Sequence, residues 1–422
     1  MAHQVAEVAG GKVQITFTLT PEERGKFEQR ALREATSTLE VKGFRVGHAP
    51  ESMVRERLGE SLPQETMWQA VKELYPKLIK QLNLEVVGSP QLALQSTDPF
   101  VFYATVAKLP EVDLGAWEKT KTKRLPVEVA EADVDKLVTH LQDSRVREAA
   151  VVRAAQLGDR VELDFEVSVD GVVLEGGKES HYSAVLGHGR LLPGFEDNLV
   201  GLPPGQDKQF EITFPKEYRK DLAGKHAQVQ AKVLQVFERT LPEITDEFAS
   251  SLGQFTSAAD LKARLKQNLM EDRRATEEQR VEREMLEALV ERAKFGELPE
   301  ILLKSEAEKM LHELKAGIAE SGLEWPQYLM SIKKDETSLK SEFRTPAERR
   351  VKVALLVRAF AKREQLQADD MAVEAEIAHT LEHHANDERA MAQLATDGYR
   401  DYVREVLTNR KVIEWLKQKL VE

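Results

Sequence analysis

Ten of the chain's 23 glycines fall between Gly158 and Gly224, and no other stretch of its 422 residues is so broken by turn formers. Glycine adopts left-handed backbone conformations without a Cβ clash, so such a run implies many sharp turns close together. Val, Leu and Phe alternate between these turns, and short strands joined by Gly and Pro predict a small, mainly β domain over residues 151–240. The flanking regions have other periods. In residues 1–112, Val13, Ile15, Phe17 and Leu19 alternate with polar residues as in a half-buried strand. Thr20-Pro21-Glu22-Glu23 then reads as a capping box with proline at the first helical position. Phe27, Ala31, Ala35 and Leu39 mark the buried side of the helix that follows. Pro50 opens a second helix, residues 67–82 a third, and residues 100–109 alternate again. A connector, 113–150, carries a helix over 133–148. Residues 241–422 are almost wholly helical, with starts at Ser257 and Pro299 and an apolar run over 351–361 after Pro346. Between Glu271 and Arg280 the long helix has few apolar residues, a pattern of helices that project or pack loosely. The expectation is an elongated α+β multidomain chain: an N-terminal α+β domain, a β-rich domain, and an all-helical C-terminal domain.

Composition narrows the function. Hydrophobic residues make up 41% and charged residues 31%, enough for folded domains with large wetted surfaces. A net charge of -12 argues against coating nucleic acid, which needs a dense excess of Lys and Arg. The absence of cysteine removes disulfides, thiolate metal sites and cysteine nucleophiles. No signal-peptide pattern and no span of membrane length is visible, so a cytoplasmic chain without membrane contact is expected.

The most informative short stretch is Gly43-Phe44-Arg45-Val46-Gly47-His48-Ala49-Pro50, between two predicted helices. It displays an aromatic ring and a guanidinium, which suit an apolar pocket and an anionic surface respectively. From Arg24 to Arg57 the chain carries eight basic residues and five Glu, a local +3. On local physics alone, a tight turn with Phe44 folded back into its own domain stands equally open. The pattern Gly-Phe-Arg-x-Gly-x-x-Pro is similar to the ribosome-docking loop of trigger factors, matched by Gly43, Phe44, Arg45, Gly47 and Pro50. The order of the regions resembles that family from end to end. The resemblance implies that Phe44 and Arg45 touch a ribosomal protein and nearby RNA close to the nascent-chain exit. Val46 stands where family loops commonly carry Lys, which lowers the electrostatic share of the contact unless Lys42 supplies it.

Residues 158–239 resemble an FKBP-type prolyl isomerase. The landmarks are Gly158-Asp159-Arg160-Val161, Val169-Asp170-Gly171, Val185-Leu186-Gly187, Leu191-Leu192-Pro193-Gly194-Phe195-Glu196 and Gly201-Leu202-Pro203-Pro204-Gly205. Rotating an X-Pro bond breaks amide resonance against a barrier of about 18–20 kcal/mol. The twisted amide has less charge separation than the planar one, so an apolar cavity favours it without nucleophile, metal or cofactor. The resemblance implies a pocket of Phe165, Tyr182, Leu191, Leu192, Phe195 and Tyr218, with Phe195 as its floor and Glu175 as an orienting carboxylate. Val229 is expected where a further pocket aromatic would align, widening the cavity.

His383 and His384 are read as solvated helix surface, since adjacent helical residues point about 100° apart and do not readily share an ion. The Gly-rich stretch 187–194 lacks the ending of a phosphate loop, so ATP-independent action is expected. Two functions are weighed. In the first, the helices hold nascent and unfolded chains while the isomerase acts on their prolines. In the second, the chain is a free-standing isomerase or an assembly factor with a weak isomerase domain. A weak homodimer is left open.

Overall fold

The computed structural model describes residues 2–41, 44–218, 222–383, 387, 391–392 and 394–422. Its chain divides into two compact units, one built from Met1–Leu125 with Glu278–Glu422 and one from Pro126–Glu277.

The first unit opens with β1 (Ala2–Val8) and β2 (Lys12–Leu19), then α1 (Pro21–Thr38), α2 (Glu51–Leu58) and α3 (Leu62–Gln81), then β3 (Val86–Thr97) and β4 (Phe100–Lys108). The strands form one antiparallel sheet in the order β1-β2-β4-β3. Alternation works as expected on β2, where Val13, Ile15, Phe17 and Leu19 are all buried. Phe17 pairs with Phe102 across the ladder and their rings stack 4.9 Å apart. Phe27 of α1 and Met67, Ala70, Val71 and Leu78 of α3 close over this face. The capping box forms: Thr20 Oγ1 accepts from the Glu23 amide at 3.3 Å, and the Thr20 amide donates to Glu23 Oε2 at 3.0 Å. Strand β1 was not legible, because its side chains are almost all exposed and carry no alternating apolar signal. A short β5 (Val112–Asp113) follows.

In the second unit, α4 (Glu131–Asp143) ends before the expected limit at 148. Residues 147 and 148 instead begin β6 (Arg147–Val151), because they pair with the end of a long later strand and that tertiary ladder overrides local helical pattern. The unit continues through β7 (Arg160–Val169), β8 (Val172–Val185), α5 (Phe195–Leu199), β9 (Asp207–Thr213) and β10 (His226–Thr240). One edge of β10 pairs with β9 along residues 226–232 and then with β6 along 236–240, while its other edge pairs with β7. β7 pairs in turn with β8, so five antiparallel strands share one sheet. The strands are longer than the glycine spacing suggested, 14 residues in β8 and 15 in β10. Val161, Leu163, Val167, Ala231, Val233 and Val236 are among its buried residues.

After α6 (Asp246–Leu252), Ser257 Oγ accepts the Asp260 amide at 3.1 Å and starts α7 (Ala258–Arg292). Between Glu271 and Arg280 the helix is mostly exposed, as its composition suggested. Lys262 reaches Asp135 at 2.9 Å, Lys266 reaches Glu131 at 2.6 Å and Arg273 reaches Asp133 at 2.7 Å, so largely exposed ion pairs connect α7 to α4.

The later part of the first unit holds the end of α7, β11 (Lys294–Phe295, paired with β5), α8 (Glu300–Glu320), α9 (Trp325–Ile332), α10 (Glu336–Glu342), α11 (Arg344–Arg363), α12 (Asp370–His383) and α13 (Asp397–Leu420). Its core joins Leu114 and Trp117 to Met285, Leu289, Leu356, Phe360, Val412 and Leu416. Trp117 meets Phe360 edge to face at 5.2 Å. The chain is thus α+β: among the described residues a four-stranded, a five-stranded and a two-stranded antiparallel sheet, with an almost entirely helical region after residue 240. Among the described residues, no helix is long and apolar enough to cross a membrane.

Candidate functional site

The apolar alternation of β7 and the helix start after Gly194 bring two groups of side chains around one cavity of about 350 Å³. Phe165 and Val167 come from β7, Leu174 from β8, and Leu191, Leu192 and Phe195 from the turn entering α5. Phe214, Tyr218 and Leu222 complete the wall beyond β9. Phe195 is 2% exposed and stands edge-on to both Phe165 and Phe210, each 5.3 Å away. Edge-to-face pairs of this kind are a favoured aromatic arrangement and stabilise beyond area burial alone. Gly177 lets β8 approach closely here: a Cβ at this position would lie 2.9 Å from the Val167 carbonyl oxygen.

Five expected pocket residues, Phe165, Leu191, Leu192, Phe195 and Tyr218, line the cavity. Tyr182 packs behind it, edge-on to Phe165 at 5.4 Å. The side chain of Glu175 lies outside the described residues. Val229 is 1% exposed, sits between Phe210 of β9 and Val167 of β7 in the ladder, and belongs to the sheet core rather than the cavity wall. The expected widening at that position is therefore not found; Phe214 lines the cavity, and Phe210 packs against Phe195 without lining it. Sequence reasoning missed Val167, Leu174, Phe214 and Leu222. Alternation along β7 from Phe165 was the available signal for Val167.

Glu196 was also missed as a functional group. It is 7% exposed, and its carboxylate accepts four backbone N–H bonds: Gly187 at 2.8 Å and Gly189 at 3.0 Å on Oε2, Arg190 at 2.9 Å and Leu191 at 3.2 Å on Oε1. Burial alone would raise its pKa, but the four donors outweigh it and hold the carboxyl below its ordinary value.

The helix–loop–helix tip between α1 and α2 is built on Ala31, Leu32, Ala35, Val41, Val54 and Leu62. The Gly47 amide donates to the Thr36 carbonyl at 2.9 Å, and the His48 amide to that of Arg45 at 3.0 Å. Gly47 has a φ of +87°, the left-handed conformation its type allows. Pro50 caps α2. Lys42 and Gly43 lie outside the described residues, as does His384; the same holds for the side chain of His383. Phe44 is 43% exposed and takes no place in the cluster beneath it, so it is not folded into its own domain's core. Arg45 is exposed beside it.

The five-stranded antiparallel sheet and the apolar aromatic cavity that Phe195 lines fall within a prolyl isomerase domain of the FKBP type. The family model for FKBP-type peptidyl-prolyl cis-trans isomerases matches residues 152–239. The model for bacterial trigger factor protein matches residues 1–141, and that for its C-terminus residues 257–418. The trigger factor of Limosilactobacillus fermentum is 33% identical over 410 residues, covering 95% of this chain and 93% of its own. That of Geobacillus kaustophilus is 31% identical over 420 residues, covering 97% of each. A solved trigger factor chaperone structure covers 99% of both chains at 23% identity, with a TM-score of 0.49. The chain belongs to the bacterial trigger factor family. It is accordingly a chaperone with an FKBP-type prolyl isomerase domain, in a family that interacts with the ribosome and with nascent chains.

Proposed function

We propose that Phe165, Leu191, Leu192, Phe195 and Tyr218 grip a client proline, with Tyr182 bracing Phe165 and Glu175 orienting the peptide. The ring of proline seats against Phe195, and the surrounding apolar surface favours the twisted amide, in which resonance and its charge separation are lost. The steps are binding, rotation and release; no bond to the protein forms. The observation that carries this reading is the apolar cavity in which Phe165 and Phe195 meet edge to face beside Leu191, Leu192 and Tyr218.

At the other end of the function, Phe44 and Arg45 dock on a ribosomal protein and adjacent RNA near the nascent-chain exit, with Gly43, Gly47 and Pro50 shaping the loop. The exposure of Phe44 above a packed base supports this. The division of labour follows the chain: residues 1–112 dock, 151–240 isomerise, and 241–422 with the connector 113–150 hold unfolded clients. The work takes place in the cytoplasm and needs no cofactor.

Co-sedimentation with bacterial ribosomes at several salt concentrations tests the docking half. Wild type pellets with ribosomes in a salt-sensitive way, and the Phe44→Ala/Arg45→Ala protein stays in the supernatant. Equal pelleting of the two proteins would leave the chain a free-standing isomerase or assembly factor.

A further inference from the structure

We propose that Glu196 is a positioning residue of the proline pocket: its carboxylate gathers the 187–191 backbone into the curve that presents Leu191 and Leu192 to the client. This rests on the pocket reading above. The segment from Gly187 to Leu191 has no strand or helix to hold it. Among the described residues, the amides of Gly187, Gly189, Arg190 and Leu191 have their acceptor in Glu196 and not in a backbone carbonyl. Two loop amides converge on each carboxylate oxygen, so one buried side chain sets the path of five residues.

The neighbouring residue in sequence is Phe195, the cavity floor, whose own amide donates to the Leu192 carbonyl at 2.9 Å. Floor and wall are therefore fixed from one helical turn. Arg190, Leu191 and Leu192 all line the cavity, so a shift of the loop changes the wall directly. A carboxylate suits the task because both of its oxygens accept only. Glutamine would keep one oxygen and turn its NH₂ towards two N–H donors, and aspartate would fall one methylene short. Glu196 makes no contact with the reacting amide in this role; it acts through the wall.

The test uses the full-length chain with Glu196→Gln, its fold checked by circular dichroism, in a cis/trans assay on a proline peptide. Leu191 and Leu192 grip the proline side chain in ground and transition states alike and leave the preference for the twisted amide to the aromatic surface around Phe195, so KM should rise about tenfold with kcat within about twofold of wild type. Hydrogen exchange over residues 186–192 should quicken by about tenfold or more while the strands stay protected. Phe195→Ala separates the two ideas. If Glu196→Gln keeps wild-type KM and loop exchange while Phe195→Ala loses turnover, the positioning role falls and the pocket stands. If both variants keep full turnover, the pocket reading falls and this one with it. Should Glu196→Gln fail to fold, exchange in wild type decides: protected amides at 187 and 189–191 support the role, and exchange at free-peptide rates overturns it.

Discussion

Arg239 Nη2 lies 2.9 Å from Asp143 Oδ1, joining the end of β10 to the end of α4. The isomerase sheet is entered from α4 and left through β10, so this pair clasps its two chain connections together. Gln142 adds a bond from its side-chain amide to the Pro242 carbonyl at 2.7 Å. The Arg239 side chain is only 8% exposed, and Glu148 approaches its Nε at 3.6 Å. Arg239→Ala strands Asp143, while Glu148 keeps Arg160 at 2.6 Å, and should cost about 1–2 kcal/mol, read from urea unfolding of the full chain. Arg239→Lys should recover part of this. A loss no larger than that of an exposed ion pair would show that the clasp is ornamental.

Phe360 is fully buried between Trp117 and Trp415, with ring centroids 5.2 and 6.2 Å away. Phe360→Ala should cost about 3–5 kcal/mol and shift the emission of those two tryptophans to longer wavelength in the native baseline. An unmoved melting curve would contradict the packing of residues 112–117 into the helical core.

Thr20→Ala removes the acceptor for the Glu23 amide at the start of α1. The expected loss is about 1 kcal/mol, with Thr20→Ser close to neutral. Denaturant titration of the two variants side by side would settle it.

Glu73 gathers Lys77 and Lys26, at 3.1 and 3.2 Å, together with Arg30, and its carboxyl is pulled down from 4.5 to about 2, foremost by the bond to Lys77. A depressed carboxylate stabilises the fold above its unfolded pKa, and that contribution fades as pH falls through the folded value. Glu73→Gln should thus lose about 1 kcal/mol at neutral pH, a figure discounted for solvent screening of the pairs. The gap in Tm between the two proteins should narrow as pH drops from about 4.5 towards about 2. A gap that stays constant over this range would assign the loss to something other than charge.

Local signals were the legible ones. The Thr20–Glu23 box, the alternation of residues 13–19 and the helix starts at Ser257 and Pro299 all depend on neighbours within four residues, and each appears where expected. Phe195 was found because an ordered landmark surrounds it. Phe214 and Leu222 were not, since their place on the wall depends on how β9 and the chain beyond it return beside β7. The start of β6, Arg147 and Glu148, looked helical for the same reason: only its partner β10 makes it a strand. Glu196 was in plain view beside Phe195, yet its four donors come from five to nine residues upstream, and no spacing announces a carboxylate that binds backbone.

The second unit is one unbroken stretch of chain, Pro126–Glu277, whereas the first is assembled from both sides of it. During synthesis, which runs from the N-terminus, the isomerase sheet has all its strands once residue 240 has emerged. The core that buries Trp117 must wait for Phe360 and then Leu416. A protein that attends nascent chains thus leaves Leu114 and Trp117 without their full cover for some 300 residues of its own translation, about 15–60 s at ordinary elongation rates. It passes through the same exposed interval that its family exists to guard.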